Sequence, residues 1–172
     1  GEYEKAEIEY KNVLQTGGLD PNAIVRLGTI YFEQGRLVQS AFALRKALEL
    51  EPNNVDAKLK LGYVYLATGA RTQAREAAIS VLSRRPNDPD APILLVESME
   101  QPKDAVQARE LLLKLPSAES APVLTALSLI SLREQKLHEA ETLVERARQA
   151  NPKFPPVQST FAALYMARKD PE

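Results

Sequence analysis

The sequence has no cysteine and only one histidine, His138. Without cysteine, neither a disulfide nor a thiolate metal site can form. A lone histidine without histidine or cysteine companions also argues against a zinc site, so we expect His138 to be a solvated side chain near the start of a helix. We therefore expect no bound metal and no cofactor.

Long apolar runs and an excess of one charge are missing as well. The longest uncharged apolar stretches fall far short of the roughly 18 to 20 residues that a membrane span needs. Lys and Arg number 22 against 23 Asp and Glu, so there is no general attraction to nucleic acid or acidic lipid. No P-loop, dinucleotide fingerprint, nucleophile motif or zinc-ligand spacing occurs, and we expect no catalytic residues.

What the sequence does contain is a repeat of 34 residues. The motif Leu-Gly-x-x-Tyr occurs twice at this spacing, beginning at Leu27 and at Leu61. Other residues keep the same period, apart from one that comes two residues early. They are Gly35 and Gly69, Pro52 and Pro86, and the small residues Ser40, Ala74, Ala108 and, early, Ala140.

Each repeat has the pattern of two helices joined by a tight turn. Apolar residues in 55–68 and in 71–84 recur at intervals of three and four, which is typical of helices with one buried face. Gly69 separates the two segments, because glycine readily adopts the left-handed conformation that ends a helix, and Pro86 ends the second one. The same reading along the chain predicts helices near 2–15, 21–34, 37–50, 55–68, 71–84, 89–101, 104–115, 120–134, 137–150 and 155–168.

This pattern resembles the tetratricopeptide repeat (TPR) family over nearly the whole chain, although the tryptophan often found early in that repeat is absent. The resemblance implies an all-α fold, a right-handed superhelical solenoid of antiparallel helical hairpins with first helices on its concave face. The residues that carry it are Leu27, Gly28, Tyr31, Ser40, Leu44, Ala47 and Pro52, then Leu61, Gly62, Tyr65, Ala74, Ala78, Val81 and Pro86.

We expect one TPR domain over 1–172, with an incomplete repeat at each end. The third repeat is degenerate, because Val96 replaces the glycine, Met99 replaces the tyrosine, and Pro116 shortens the second helix. The expected parts are a second helix (1–20), repeats 21–54, 55–88, 89–120 and 121–154, and a first helix (155–172).

The incomplete repeats lead us to expect that the chain is cut from a longer array. The stretch AEIEYKNVLQ also resembles bacterial TPR proteins linked to exopolysaccharide export and protein sorting. This suggests a bacterial protein, in the cytoplasm or the periplasm.

The function implied by the resemblance is a non-catalytic scaffold that binds a protein or peptide in its groove. An alternative is the TPR part of a larger enzyme or of a bacterial secretion or polysaccharide-export machine. RNA binding is disfavoured, because the predicted groove carries acidic side chains. The predicted partner-binding residues are Val25, Arg26, Thr29, Glu33, Leu59, Lys60, Tyr63, Ile93, Leu94, Glu97, Leu129 and Arg133.

Several of the apolar groove residues can instead serve only to pack neighbouring first helices. Glu97 and Glu100 are spaced one helical turn apart, and we interpret them as a solvated helix face rather than as catalytic acids. Met99 and Met166 are expected in the core. The incomplete ends predict head-to-tail stacking of copies through Tyr3, Ala6, Tyr10, Val13, Phe161, Leu164 and Tyr165.

Overall fold

A computed structural model of the protein describes Ile8 and residues 20–169, and the regular structure of these residues is entirely helical. The predicted helix 2–15 lies outside the described residues, except for Ile8, which is helical and exposed. The described helices are α1 (Pro21–Glu33), α2 (Leu37–Leu50), α3 (Val55–Ala67), α4 (Arg71–Arg84), α5 (Ala91–Glu97), α6 (Pro102–Leu113), α7 (Ala121–Arg133), α8 (Leu137–Ala150) and α9 (Pro155–Lys169).

The all-α prediction is confirmed, and most helix bounds agree with it to within one residue. The exceptions lie in the third repeat, as its degenerate sequence leads one to expect. Helix α6 has 12 residues where α2, α4 and α8 have 14, and it ends before Pro116. Helix α5 is shorter than predicted, with seven residues at 91–97 instead of the expected 89–101.

The early end of α5 follows from competition for its backbone amides. The Asp104 carboxylate oxygen Oδ2 accepts hydrogen bonds from the N–H groups of Glu100 and Gln101, each at 3.0 Å. Pro102 has no N–H and disfavours helical dihedrals in the residue before it, and Gln101 is extended with φ −122° and ψ 153°. These residues therefore start α6 and cannot prolong α5.

The helices divide between Arg84 and Arg85 into two compact units. In unit 1, α1 pairs with α2 and α3 with α4, and α3 also packs against α1 and α2. In unit 2, α7 pairs with α8, α9 packs against both, and α5 and α6 contact each other and α7. Both units are thus built of antiparallel hairpins, while the prediction of one domain over 1–172 stays a prediction.

The small residues of the repeat mark the closest helix contacts. Ser40, Ala74, Ala108 and Ala140 are all buried. The Ser40 hydroxyl donates to the Gly28 carbonyl of the facing helix at 2.7 Å, and a Cβ on Gly28 would lie 2.8 Å from Leu44 Cγ. This contact explains the glycine inside α1, where it otherwise costs about 1 kcal/mol relative to alanine.

Candidate functional site

The predicted partner-binding residues of unit 1 fall into two groups. Val25 and Leu59 are buried in the helix packing, and only the other five expose surface. The Thr29 hydroxyl donates to the Val25 carbonyl at 3.0 Å within α1. The accessible residues are Arg26 and Glu33, which are exposed, and Thr29, Lys60 and Tyr63, which are half-buried.

The predicted partner-binding residues of unit 2 also include both buried and accessible side chains. Ile93 and Leu94 of α5 are buried, Leu94 completely. Leu129 of α7 is half-buried, while Glu97 and Arg133 are exposed. Because α5 packs against α7, the accessible residues of unit 2 lie on neighbouring first helices.

Glu97 and Arg133 form the charged part of this surface. The Arg133 guanidinium donates from Nη1 to the Val96 carbonyl at 2.6 Å and so joins α7 to the last turn of α5. Partial burial raises the pKa of the Glu97 carboxyl above its ordinary value, and nearby Arg133 offsets part of that rise. Glu97 is the last residue of α5 and Glu100 lies beyond it, so the prediction that both share one helix face is wrong.

A cleft of about 500 Å³ opens in unit 2 beside Arg133. It lies where α5 ends early, and sequence reasoning missed it because helix 89–101 was predicted to fill this space. Pro102, placed before a capping aspartate, was the signal that could have revealed it. The cleft is lined by Met99, Glu100, Gln101, Pro102, Ala105, Arg133 and Glu134.

An ion-pair network fixes one wall of this cleft. Arg109 of α6 donates from Nη2 to the Glu134 carboxylate at 2.9 Å and from Nη1 to Glu139 of α8 at 2.8 Å. Lys136 pairs with the same Glu134 carboxylate at 2.8 Å. The hydrogen bond from Lys136, with a smaller effect of Arg109, holds the pKa of Glu134 below its ordinary value.

An apolar groove of about 450 Å³ lies between α1 and α2 of unit 1. Val38 and Phe42, one helical turn apart on α2, are 82% and 74% exposed at its edge. Sequence reasoning missed this groove as well. The signal was that Val38 and Phe42 are large and apolar, whereas the corresponding positions of the next repeat hold the polar residues Thr72 and Glu76.

The residues predicted for end-to-end stacking are described only at the C-terminal side. Tyr3, Ala6, Tyr10 and Val13 lie outside the described residues. Leu164 is buried, Phe161 is half-buried with the Arg148 guanidinium 5.8 Å from its ring centre, and Tyr165 is exposed. Met99 is in the core as predicted, but Met166 is 69% exposed, so its core assignment is wrong.

The described part of the chain offers neither a metal-binding cluster nor a membrane-spanning helix. No group of three or more histidine, cysteine or acidic residues there is placed to hold a metal ion, and His138 is exposed near the start of α8. Within residues 20–169, every helix is too short or too polar to cross a membrane.

The sequence of residues 32–89 matches the family model described as tetratricopeptide repeat. This segment is similar to tetratricopeptide repeats. The matched segment runs from the last two residues of α1 through α4 and so contains α2, α3 and α4 in full. The predicted resemblance to this family is confirmed for that segment. No curated protein sequence matches the chain.

Solved TPR structures extend the likeness beyond unit 1. A thermophilic TPR protein of Thermus thermophilus is 20% identical, with a TM-score of 0.70 over 87% of this chain and 83% of that one. A tetratricopeptide repeat protein from Parabacteroides merdae is 17% identical, with a TM-score of 0.72 over 97% and 67%. Pseudomonas aeruginosa pilF is 26% identical, with a TM-score of 0.64 over 87% and 69%. These likenesses show the fold, which is that of TPR helical solenoids.

Proposed function

We propose that this TPR chain is a non-catalytic scaffold that binds a protein or peptide partner through the accessible side chains of its first helices. TPR proteins are in general interaction scaffolds rather than enzymes, and this supports the class of function. The observation that carries the proposal is the placement of Arg26 on α1 and Lys60 on α3. These cations occupy the same repeat position on two first helices that pack against each other.

Burial narrows the set of side chains that can contact a partner. Four of the predicted residues are buried and belong to the helix packing, which was the alternative role for the apolar groove residues. They are Val25, Leu59, Ile93 and Leu94. The accessible set mixes cations, acids, an aromatic ring and one aliphatic side chain, which suits a peptide held by a few anchors rather than RNA. It consists of Arg26, Thr29, Glu33, Lys60, Tyr63, Glu97, Leu129 and Arg133.

The test compares a variant of the first helices with a matched variant of a second helix. The chain is immobilised, captured proteins are identified by mass spectrometry, and the affinity of each purified candidate is measured by calorimetry. We expect Lys60→Ala combined with Tyr63→Ala to weaken the specific partner by at least about tenfold, because a few anchor residues carry most of the binding free energy.

The control is Gln73→Ala combined with Glu76→Ala on α4, where both side chains are exposed. This variant should bind as the unaltered chain does. Equal binding by all three chains, with unchanged circular dichroism, would contradict binding through Lys60 and Tyr63.

A second proposed function is self-association, which the exposed apolar surfaces favour. We propose that the groove beside Val38 and Phe42 in one copy receives the exposed Tyr165 and Met166 of α9 from another copy. These four are among the most exposed large apolar side chains of the described residues. Such a contact is heterologous, so it can build open chains rather than closed rings.

A further inference from the structure

The cleft of unit 2 exists because one first helix is incomplete. Helices α1, α3 and α7 each have 13 residues, whereas α5 has seven. The missing residues amount to more than one helical turn at 3.6 residues per turn. Residues 98–101 cross this space without helical side-chain spacing, which leaves the cleft open beside the last turn of α7.

The floor of the cleft is apolar. Met99 and Ala105 line it while being only 8% and 7% exposed, so they are fixed by the core beneath them. Pro102 adds a rigid apolar ring at the start of α6. An aliphatic chain laid on these three residues removes apolar surface from water on both sides.

The charges around the floor are unequally compensated. Glu134 is paired with both Arg109 and Lys136. Arg133 donates to the Val96 carbonyl and interacts electrostatically with Glu97, where it offsets part of the rise that burial causes in the pKa of that carboxyl. Glu100 lines the cleft, is exposed and has no ion pair with any residue in 20–169.

We propose that this cleft binds a lysine or arginine side chain of the protein partner. The aliphatic stem lies on Met99, Pro102 and Ala105, and the terminal cation pairs with the Glu100 carboxylate. Long basic side chains combine these two properties, since their stems cover apolar surface while the charge stays near water. An acidic side chain would instead place a like charge beside Glu100. This inference rests on the proposed function, because it names the chemistry of one contact between scaffold and partner.

The two methionines give a direct measurement. Methyl-¹³C-methionine labelling yields two signals, one from Met99 in the cleft and one from Met166, which is exposed on α9. The protein is titrated at low salt with Nα-acetyl-arginine amide and, separately, with Nα-acetyl-norleucine amide, which keeps an aliphatic stem but lacks the charge. We expect the Met99 signal to shift and saturate with a dissociation constant on the order of 1 mM for the arginine amide, while the Met166 signal stays in place.

The charge contribution is read from the ratio of the two affinities. We expect about threefold tighter binding of the arginine amide, as for a solvent-exposed ion pair, and loss of this preference in Glu100→Gln. The matched control is Glu110→Gln, an exposed acid of α6 that does not line the cleft, and it should keep the preference.

Three results would overturn the inference: an unmoved Met99 signal, equal binding of both amides to the unaltered chain, or a preference that survives in Glu100→Gln. None of them bears on capture of a partner through Lys60 and Tyr63, which is measured separately. Conversely, loss of partner capture leaves the amide titration interpretable, because it uses the chain alone.

Discussion

At the scale of single residues, the turns between paired helices show where the backbone is strained. Gly35 and Gly69 have φ values of 72° and 78°, and Gln135 occupies the same place after α7 with φ 59°. All three turns close with the same hydrogen bonds, such as Lys136 N–H to the Ser131 carbonyl at 2.9 Å. Only Gln135 has a Cβ in this left-handed conformation, which costs about 1–2 kcal/mol.

Gln135→Gly should therefore stabilise unit 2. The relief of strain is partly offset by the greater chain entropy of glycine in the unfolded state, so we expect the free energy of unfolding to rise by about 0.5 kcal/mol. Urea unfolding followed by circular dichroism measures this change. Gly69→Ala, the reverse change in unit 1, should destabilise, and a lower urea midpoint for Gln135→Gly would refute the strain argument.

At the scale of elements, one buried side chain sets the boundary between α5 and α6. Asp104 is 2% exposed and accepts the N–H groups of Glu100 and Gln101, so it satisfies two backbone donors at the start of α6. The same bonds prevent those residues from prolonging α5. The cleft beside Arg133 therefore depends on this cap.

Asp104→Ala should destabilise the protein by about 1–2 kcal/mol, as expected for the loss of a capping carboxylate. Urea unfolding gives the magnitude, and hydrogen exchange should show faster exchange at the amides of Glu100 and Gln101. Asp104→Asn keeps one acceptor oxygen and should lose less stability. If Asp104→Ala unfolds at the same urea concentration as exposed Lys103→Ala, the capping role is wrong.

At the scale of the whole molecule, the proposed self-association through exposed apolar surface can be tested by measuring mass in solution. Sedimentation velocity over a range of protein concentrations should show an average mass that rises with concentration for the unaltered chain. Val38→Ser combined with Phe42→Ser should remove this rise, because the edge of the receiving groove is then polar.

The control for this experiment is Val106→Ser on α6. Val106 is 56% exposed but lies outside the groove, so its replacement should leave the rise in mass unchanged. A strictly constant mass for the unaltered chain would refute self-association. If Val106→Ser reduced the rise in mass as much as the Val38 and Phe42 changes do, non-specific hydrophobic association would explain the result instead of a specific groove.

The regular repeats were the part of the fold that could be predicted from sequence. Helix α2 and helix α4 match the predicted bounds, and the buried series from Ser40 to Ala140 marks the contacts between paired helices. Periodic apolar spacing and helix-ending glycine or proline act on neighbouring residues, so these signals can be recognised in the sequence alone.

The candidate site was predicted less completely. Arg26 and Lys60 are accessible, but Leu94 in the same predicted set is fully buried. Periodicity places a residue on one side of a helix without saying whether a neighbouring helix covers that side. The groove beside Phe42 was missed for the same reason, since its depth comes from the packing of α1 against α2.

From the sequence alone the chain can be described as a series of helical hairpins, because the spacing of small, apolar and helix-ending residues specifies each helix and its partner. The position of the cleft in unit 2, by contrast, follows from tertiary contacts. Asp104 accepts hydrogen bonds from the amides of Glu100 and Gln101, four and three residues before it, and the space left by α5 is bounded by Arg133 more than thirty residues later. Hydrogen-bond competition and packing between distant helices depend on the three-dimensional structure, so a local sequence pattern does not predict them.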